Sequence, residues 1–308
     1  MRIAIVGGGG AMGGTWAGRL AGAGYEVVVV DVAADAIAAI RSSGLTVDTV
    51  DGTITTHPDA TTDPARSGLV DAVFVFVKSQ HTRSAAELAR PLVSSTTTLI
   101  SLQNGWGNAD VLAEVYPAEQ MVVGVTYHSA TVRAPAHVAH TGRGPTYLGP
   151  YVDGADLARA ETIADLLGAA GIEPIVTASV KTEIWKKLVL NAATLPAAAL
   201  SGLTAGELGQ PGPLLALVDA LASEAVVVGN ALGHLIDRDE RLERIHTVLA
   251  GAGAGKASML QDVEGHRTTE IDVINGAIVR NAVLMGIDVP LNRAMVALIH
   301  GLERSWAR

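Results

Sequence analysis

The chain has 308 residues, of which 49% are hydrophobic, and this length suffices for two domains with separate cores. Acidic residues outnumber basic ones by 31 to 22, which gives a formal net charge of −9, and no run of Lys or Arg suggests a groove for nucleic acid. The absence of cysteine excludes disulfides and thiolate metal sites and leads us to expect a cytoplasmic protein.

Short runs of β-branched residues alternate with helix-compatible segments over residues 1–178. The strands are predicted at IAIV, EVVVVD, AVFVFV, TTLISL and MVVGVTY, and the helices between them over 15–23, 34–42 and 82–93. This alternation is typical of βαβ units with a mostly parallel sheet. Residues 124–149 alternate differently, which favours antiparallel strands that finish the sheet. Because His128, His137 and His140 there have no Cys or carboxylate at ligand spacing, we expect no metal site.

From residue 179 to 308 the strand pattern stops and helical periodicity takes over. Helices are predicted over 181–195, 213–233, 237–250, 258–264, 269–286 and 290–306. The apolar stretch 189–236 is interrupted by prolines and acidic residues, so we expect no membrane-spanning segment. The apolar faces of these helices are compatible with a homodimer, although such faces more often form the core of one chain.

Four consecutive glycines follow the first predicted strand. Only one register fits the pattern G-x-G-x-x-G, and it spans Gly8, Gly9, Gly10, Ala11, Met12 and Gly13. The first fixed glycine allows a tight turn, the second lets a pyrophosphate approach the backbone, and the third lets the helix pack closely. A glycine-rich turn without a ligand is the alternative, but the strand before it and the helix after it favour a dinucleotide. The predicted fold class is an α/β Rossmann-type N-terminal domain followed by an all-helical C-terminal domain.

Asp31 ends the second predicted strand, 18 residues after Gly13. A carboxylate at this place accepts hydrogen bonds from the adenosine ribose and repels a 2′-phosphate. The nearest following arginine is Arg41, so no cation within nine residues could hold that phosphate. We therefore expect NAD(H) to be the preferred cofactor, with NADP(H) as the alternative. The other interpretation of Asp31 is an aspartate that only caps a turn.

Lys187 and Asn191 lie four residues apart on one predicted helix and share a face with Ile184. A lysine beside the apolar Leu188 can be partly desolvated, which lowers its pKa and suits it to donate a proton. A surface lysine whose stem covers apolar neighbours is the alternative.

The segment 256-KASMLQDVEGHRTTEID-272 contains two predicted helix starts. Ser258 and Gln261 form a predicted capping box, and the next helix is predicted to begin at 269 with Glu270 in its first turn. Capping alone explains these residues, yet a helix N-terminus that carries a hydroxyl also suits a substrate carboxylate.

Five motifs in this order resemble the ketopantoate reductase (2-dehydropantoate 2-reductase) family. They are the glycine fingerprint, FVKSQHT, SLQNGWG, WKKL, and SMLQD followed by TEIDVINGAI. The resemblance spans nearly the whole chain and implies that a small 2-oxo acid is reduced to a 2-hydroxy acid by hydride from a nicotinamide cofactor. It also implies that Lys187 protonates the ketone oxygen and that Glu270 orients the substrate and supports this lysine.

The same resemblance implies binding roles for further residues. Ser258 matches a serine that binds the substrate carboxylate, and Asn104 matches a residue that contacts both cofactor and substrate. Lys78 matches a lysine near the nicotinamide ribose. Asn191 and Glu224 fall on family positions that belong to the substrate pocket.

Two positions depart from the family pattern. Leu195 precedes Pro196 and Gly255 precedes Ser258 by three residues, where the family usually has asparagines. Both amides would pair with a substrate hydroxyl, so their absence weakens selection for that hydroxyl and leaves the substrate open between ketopantoate and another 2-oxo acid. Asp31 departs as well, because familiar members use NADPH and carry a basic residue near that strand end.

Two other functions compete with this interpretation. A β-hydroxyacid dehydrogenase of the 3-hydroxyisobutyrate type also joins a Rossmann domain to helices and has Lys and Asn four residues apart, but SMLQD and TEIDVINGAI favour the ketopantoate reductase side. A non-catalytic dinucleotide-binding sensor would leave Lys187, Glu270 and Ser258 without a common purpose.

Overall fold

The computed structural model describes residues 1–306, and the chain divides into two compact units. Unit 1 consists of Met1–Gln103 and Asn108–Val180. Unit 2 consists of Asn104–Gly107 and the chain from Lys181 onward, so a four-residue loop from the first half of the sequence belongs to the second unit.

Unit 1 contains the strands and the first five helices. The strands are β1 (Arg2–Val6), β2 (Glu26–Val30), β3 (Leu45–Thr49), β4 (Gly52–Thr56), β5 (Asp59–Thr61), β6 (Ala72–Val75), β7 (Thr98–Ser101), β8 (Met121–Thr126), β9 (Ser129–Ala134), β10 (His137–Gly142), β11 (Thr146–Pro150) and β12 (Pro174–Val176). The helices are α1 (Ala11–Gly22), α2 (Ala34–Ser43), α3 (Thr82–Ala89), α4 (Asn108–Ala113) and α5 (Ala158–Ala169).

The main sheet has eight strands in the order β12-β11-β8-β7-β6-β1-β2-β5, and its neighbours run parallel except β8 and β11. Ile3 and Ile5 pack into an apolar cluster on one face, whereas Ala4 and Val6 pack into a second cluster on the other face. Burial of both faces explains why the strands are almost uninterrupted apolar runs. The prediction of a mostly parallel sheet is confirmed.

A second sheet of four strands, in the order β4-β3-β10-β9, packs against α1. The sequence predicted that residues 124–149 would only finish the main sheet, and this is correct for β11 alone. β9 and β10 leave that sheet because β10 pairs in parallel with β3, some 90 residues earlier in the chain. Such a distant pairing has no local signal in the sequence.

Unit 2 is helical, as predicted. Its helices are α6 (Val180–Ser201), α7 (Ala205–Leu208), α8 (Pro213–Ala231), α9 (Arg238–Ala252), α10 (Ser258–Glu264), α11 (Asn275–Met285) and α12 (Pro290–Ser305). Two predicted boundaries are wrong: α6 continues through Pro196 rather than ending at 195, and α11 begins at Asn275 rather than 269.

Helix α8 is long and apolar enough to cross a membrane by length and composition, with a mean hydropathy of 1.6. The core helices of soluble domains pass the same test, and α8 packs against α11 and α12 and buries residues such as Val218, Leu221 and Ala225. The absence of a membrane-spanning segment stays a prediction.

Candidate active site

The glycine-rich loop joins β1 to α1. A Cβ atom on Gly8 would lie 2.7 Å from Val29 Cγ1, and one on Gly13 would overlap the Gly7 carbonyl oxygen. The first and third glycines of the pattern are therefore required by the packing of the loop itself. The third glycine was expected to let the helix pack closely, and the backbone that approaches it is that of the turn at Gly7 and Gly8.

Gly10 differs from these two glycines. Of the described residues, only the Gly7 carbonyl oxygen would lie near its Cβ, at 3.3 Å, so the fold does not itself require a glycine here. Gly10 is the N-cap of α1 and makes no side-chain cap, and the N–H groups of Ala11, Met12 and Gly13 are too early in the helix to have an intrahelical acceptor. Open space and donors without an intrahelical acceptor fit a diphosphate at this helix end.

Asp31 follows β2 and faces the same loop. Its Oδ2 accepts a hydrogen bond from the Gly9 N–H at 2.8 Å, and its Oδ1 accepts one from the Ala33 N–H at 2.9 Å. These two hydrogen bonds fix the side chain in place. Each carboxylate oxygen can accept a further hydrogen bond, so the side chain still fits a ribose diol.

Lys78 lies three residues after the end of β6, and the turn before it is fixed by Gln103. Gln103 Nε2 donates to the Val77 carbonyl oxygen and to Thr82 Oγ1, both at 2.9 Å, and its Oε1 accepts from Ser101 Oγ at 3.0 Å. Gln103 was not among the predicted residues. The available signal in the sequence was an amide side chain shortly after a predicted apolar strand and directly before Asn104.

In unit 2 the loop Asn104–Gly107 is held against α6 and the turn before α11. The Trp106 N–H donates to the Val273 carbonyl oxygen at 2.8 Å, and the indole ring of Trp106 packs edge-on against Trp185, with ring centroids 5.0 Å apart. Trp185 is fully buried on α6. These contacts place the Asn104 amide beside Lys187, two residues after Trp185 on α6.

Lys187 is held by a hydrogen bond from its Nζ to Asn104 Oδ1 at 2.9 Å. Burial lowers the pKa of Lys187 to about 8, and the negative charge of Glu270 acts in the opposite direction. An ammonium with a pKa near the working pH can release and regain a proton readily. The structure thus brings together three predicted residues that lie far apart in sequence.

Glu270 is buried, with 8% of its surface exposed, in a tight turn that precedes α11. Its carbonyl oxygen accepts from the N–H groups of Val273 and Ile274, both at 3.2 Å. The Ile271 N–H donates to Thr269 Oγ1 at 3.3 Å. This local turn satisfies the backbone and delays the helix, which is why the predicted start at 269 is wrong.

Ser258 and Asn191 lie on two different helices. Ser258 is exposed and is the first residue of α10, whose N-cap is Ala257, so the predicted capping box is wrong. Gln261 Nε2 instead donates to the Lys256 carbonyl oxygen at 3.0 Å. Asn191 is buried on α6, one turn after Lys187.

Glu224 has a structural place that the sequence did not indicate. Its Oε1 accepts from the Leu291 N–H at 3.0 Å, and its Oε2 accepts from the Asn292 N–H at 2.9 Å and from Asn292 Nδ2 at 2.7 Å. The carboxylate therefore satisfies the first turn of α12. Its role in the substrate pocket stays a prediction.

The three histidines that the sequence singled out, His128, His137 and His140, pair with other side chains. His128 Nδ1 and His140 Nε2 are 2.7 Å apart, and His137 Nε2 lies 2.7 Å from Asp48 Oδ2. Within residues 1–306, no group of three or more His, Asp or Glu is arranged to hold a metal ion.

Comparison with known proteins gives consistent matches along the chain. The family model described as ketopantoate reductase PanE/ApbA matches residues 3–153, and that of its C-terminal region matches residues 179–303. A 2-dehydropantoate 2-reductase of Halobacterium salinarum is 35% identical over 305 residues, 99% of both chains. A ketopantoate reductase structure from Ralstonia eutropha has a TM-score of 0.90 at 30% identity over the whole of both chains. A D-mandelate dehydrogenase solved with NADH and anilino(oxo)acetate has a TM-score of 0.93 at 26% identity over 99% of both chains.

Proposed function

Because the chain belongs to the ketopantoate reductase family, a family of pyridine-nucleotide-dependent reductases, we propose that it reduces a small 2-oxo acid to the 2-hydroxy acid. The observation that carries the proposal is the half-buried Lys187 ammonium, which donates a hydrogen bond to Asn104 and lies under the charge of Glu270. A partly desolvated cation beside an amide oxygen and a carboxylate is suited to donate a proton to a ketone oxygen.

The bound nicotinamide cofactor supplies the hydride for this reduction. Lys187 donates a proton from Nζ to the oxygen on which negative charge develops, and Asn104 Oδ1 orients the ammonium for this transfer. Glu270 opposes the effect of burial and so keeps Lys187 protonated at neutral pH. After the transfer the neutral amine is the form that burial favours, which lowers the cost of the step.

We assign cofactor binding to unit 1. The loop from Gly8 to Gly13 would hold the diphosphate, Asp31 the adenosine ribose, and Lys78 the region of the nicotinamide ribose. The Asp31 carboxylate, fixed by two backbone N–H groups, supports a preference for NAD(H) because it would repel a 2′-phosphate. NADP(H) is the alternative that the test below separates.

We assign substrate binding to unit 2, with Ser258 at the carboxylate and Asn191 beside the reacting ketone. Leu195 follows Lys187 by two helical turns on the same face of α6 and is buried. An apolar side chain there favours a 2-oxo acid whose far end carries no hydroxyl. The exposed Gly255, whose backbone N–H and carbonyl bond to Ala252 and Ala205, supplies no amide side chain either.

We place the reaction in the cytoplasm, since a chain without cysteine has no feature of an oxidising compartment. A homodimer through the apolar faces of unit 2 stays a prediction. The molar mass of the purified protein in solution would test whether the homodimer forms.

The test is an absorbance assay at 340 nm that crosses NADH and NADPH with ketopantoate, 2-oxoisovalerate and phenylglyoxylate. We expect NADH-dependent turnover, and we expect the acids without a hydroxyl to be reduced with higher kcat/KM than ketopantoate. Equal efficiency with NADPH would contradict the role of Asp31. NADH binding without turnover of any 2-oxo acid would contradict the proposed function and favour a non-catalytic sensor.

A further inference from the structure

Helix α6 carries Lys187 and contains a proline in its interior, Pro196. Proline has no backbone N–H, so the carbonyl four residues earlier, that of Ala192, loses its helical hydrogen bond. The structure supplies another donor: Asn275 Nδ2 lies 2.9 Å from the Ala192 carbonyl oxygen. Asn275 is the first residue of α11 and is completely buried.

The amide of Asn275 is used entirely as a donor. Its second N–H donates to Asn292 Oδ1 at 2.9 Å, whereas its own Oδ1 is buried without a partner among the described residues. An unpaired buried carbonyl oxygen costs free energy, and a flipped amide would set oxygen against the Ala192 oxygen. The side chain is therefore oriented by its two acceptors.

Asn275 joins the two segments that carry the proposed acid and its carboxylate. Ala192 follows Lys187 by five residues along α6, and Asn275 follows Glu270 by five residues at the end of the tight turn. The helix and the turn are thus linked by one buried hydrogen bond close to both functional side chains. Beyond it, Asn292 Nδ2 donates to Glu224 Oε2 at 2.7 Å and to the Leu221 carbonyl oxygen at 3.2 Å, which extends the network towards α8 and α12.

We propose that Asn275 is a positioning residue for the reduction, and that its bond to the Ala192 carbonyl sets the place of Glu270 relative to the Lys187 ammonium. This inference rests on the proposed function. Asn275 touches neither reacting group, so its effect passes through the backbone of α6 and of the turn. Displacement of a reacting group by about 1 Å can cost a hundredfold in rate, which makes such a link important for turnover.

A purely structural role is the competing explanation, and Pro196 allows the two to be separated. In Pro196→Ala the new backbone N–H at position 196 can donate to the Ala192 oxygen from within the helix. It removes the orphaned carbonyl but does not tie α6 to the turn at Glu270. The four proteins to compare are wild type, Asn275→Ala, Pro196→Ala and the double variant, with Asn292→Ala as a matched control.

Asn292→Ala is matched because it breaks the same buried network on its other side and leaves the bond from Asn275 to Ala192 in place. It should lower the thermal midpoint and leave kcat within roughly twofold of wild type. For Asn275→Ala we expect kcat to fall by roughly tenfold to a hundredfold, while the KM for NADH stays within about twofold.

The double variant decides between the explanations. We expect it to recover much of the thermal midpoint lost in Asn275→Ala but to keep the low kcat. Recovery of both, or an equal loss of kcat in Asn292→Ala, would overturn the positioning role. If Asn275→Ala alone does not fold, the double variant is compared with Pro196→Ala by the same criterion. A wild-type protein that reduces no 2-oxo acid would overturn the proposed function instead, and the thermal midpoints would still report on the link.

Discussion

Both units bury nitrogen bases, and burial lowers the pKa of each, but the partners of these bases differ. In unit 1, burial lowers the pKa of His128 and of His140 to about 4. In unit 2, burial lowers the pKa of Lys187 to about 8. The comparison shows how the ordinary pKa of a desolvated base and the charge of its neighbours together decide whether it forms a neutral structural pair or an acid that works near neutral pH.

The histidine pair is held neutral by a cation. Arg19 Nε and Nη2 lie 3.2 and 3.1 Å from His140 Nδ1, and a guanidinium can only donate. His140 therefore carries its hydrogen on Nε2 and donates it to His128 Nδ1. The positive charges of Arg19 and Arg143 add to burial in opposing protonation of both rings.

Lys187 has the opposite surroundings. A neutral amide oxygen accepts its hydrogen bond, and the Glu270 carboxylate favours the charged form. Burial outweighs the carboxylate and lowers the pKa of Lys187 from its ordinary value of 10.5 to about 8, so the ammonium keeps its proton at neutral pH and can still release it. The pKa of all three bases is lowered by a similar amount, so the higher ordinary value of the amine, 10.5 against 6.5, leaves Lys187 near neutral pH, and the neighbouring charges at the two sites have opposite signs.

The largest expected effect comes from removal of the Lys187 ammonium. We expect Lys187→Ala to lower kcat by roughly two to four orders of magnitude, since the ketone oxygen loses its proton donor. The affinity for NADH, measured by fluorescence titration, should hardly change. Lys186→Ala is the matched control on the same helix, because Lys186 pairs with Glu183 at 2.9 Å. An unchanged kcat in Lys187→Ala would remove this lysine from the mechanism.

A second change makes the surroundings of Lys187 more like those of the histidines. Glu270→Gln removes the carboxylate that raises the pKa of Lys187, so burial acts with less opposition. We expect kcat to fall by roughly tenfold at pH 8 and its alkaline decline to begin at lower pH. The readout is the pH profile of turnover beside that of wild type. An alkaline decline that moves to higher pH would contradict the assigned effect of Glu270.

The smallest effect concerns stability in acid. The folded pKa of about 4 for His128 and His140 lies below the unfolded value of 6.5, so the unfolded chain binds more protons between these pH values. Each histidine should therefore remove stability as pH falls from about 6.5 towards 4, by at most about 1.4 kcal/mol per pH unit. Above pH 6.5 their contribution is constant.

Urea unfolding at pH 7 and pH 5 measures this loss. His140→Gln should be less stable than wild type at pH 7 but should lose less stability on acidification. The exposed His57→Gln serves as the control and should follow wild type. Identical pH dependence in wild type and His140→Gln would show that the histidine pair is not responsible.

The glycine loop and Asp31 could be predicted from sequence because their chemistry lies in one contiguous stretch. A turn, a helix start and a strand end are local features, and each follows from residue type and spacing. The approach of Lys187 to Asn104 joins residues 83 positions apart, so only the resemblance to a family indicated it.

The end of α6 was mispredicted because a tertiary hydrogen bond replaced a local one, whereas the errors around α10 and α11 arose from local turns and caps. Pro196 predicted a helix end, but Asn275 satisfies the carbonyl that this proline leaves without a donor. Ser258 fitted a capping box, but the backbone places Ala257 at the cap. A proline inside a strongly helical pattern was the available signal that a buried amide elsewhere would be needed.

The central claim is that burial and Glu270 together make Lys187 the proton donor. Its most direct test is the pH dependence of kcat/KM for the 2-oxo acid. Lys187 must be protonated to donate, so we expect a plateau at neutral pH and a one-proton decline centred at about 8. A profile that stays level from pH 7 to well above the pKa of Lys187 would contradict the assignment.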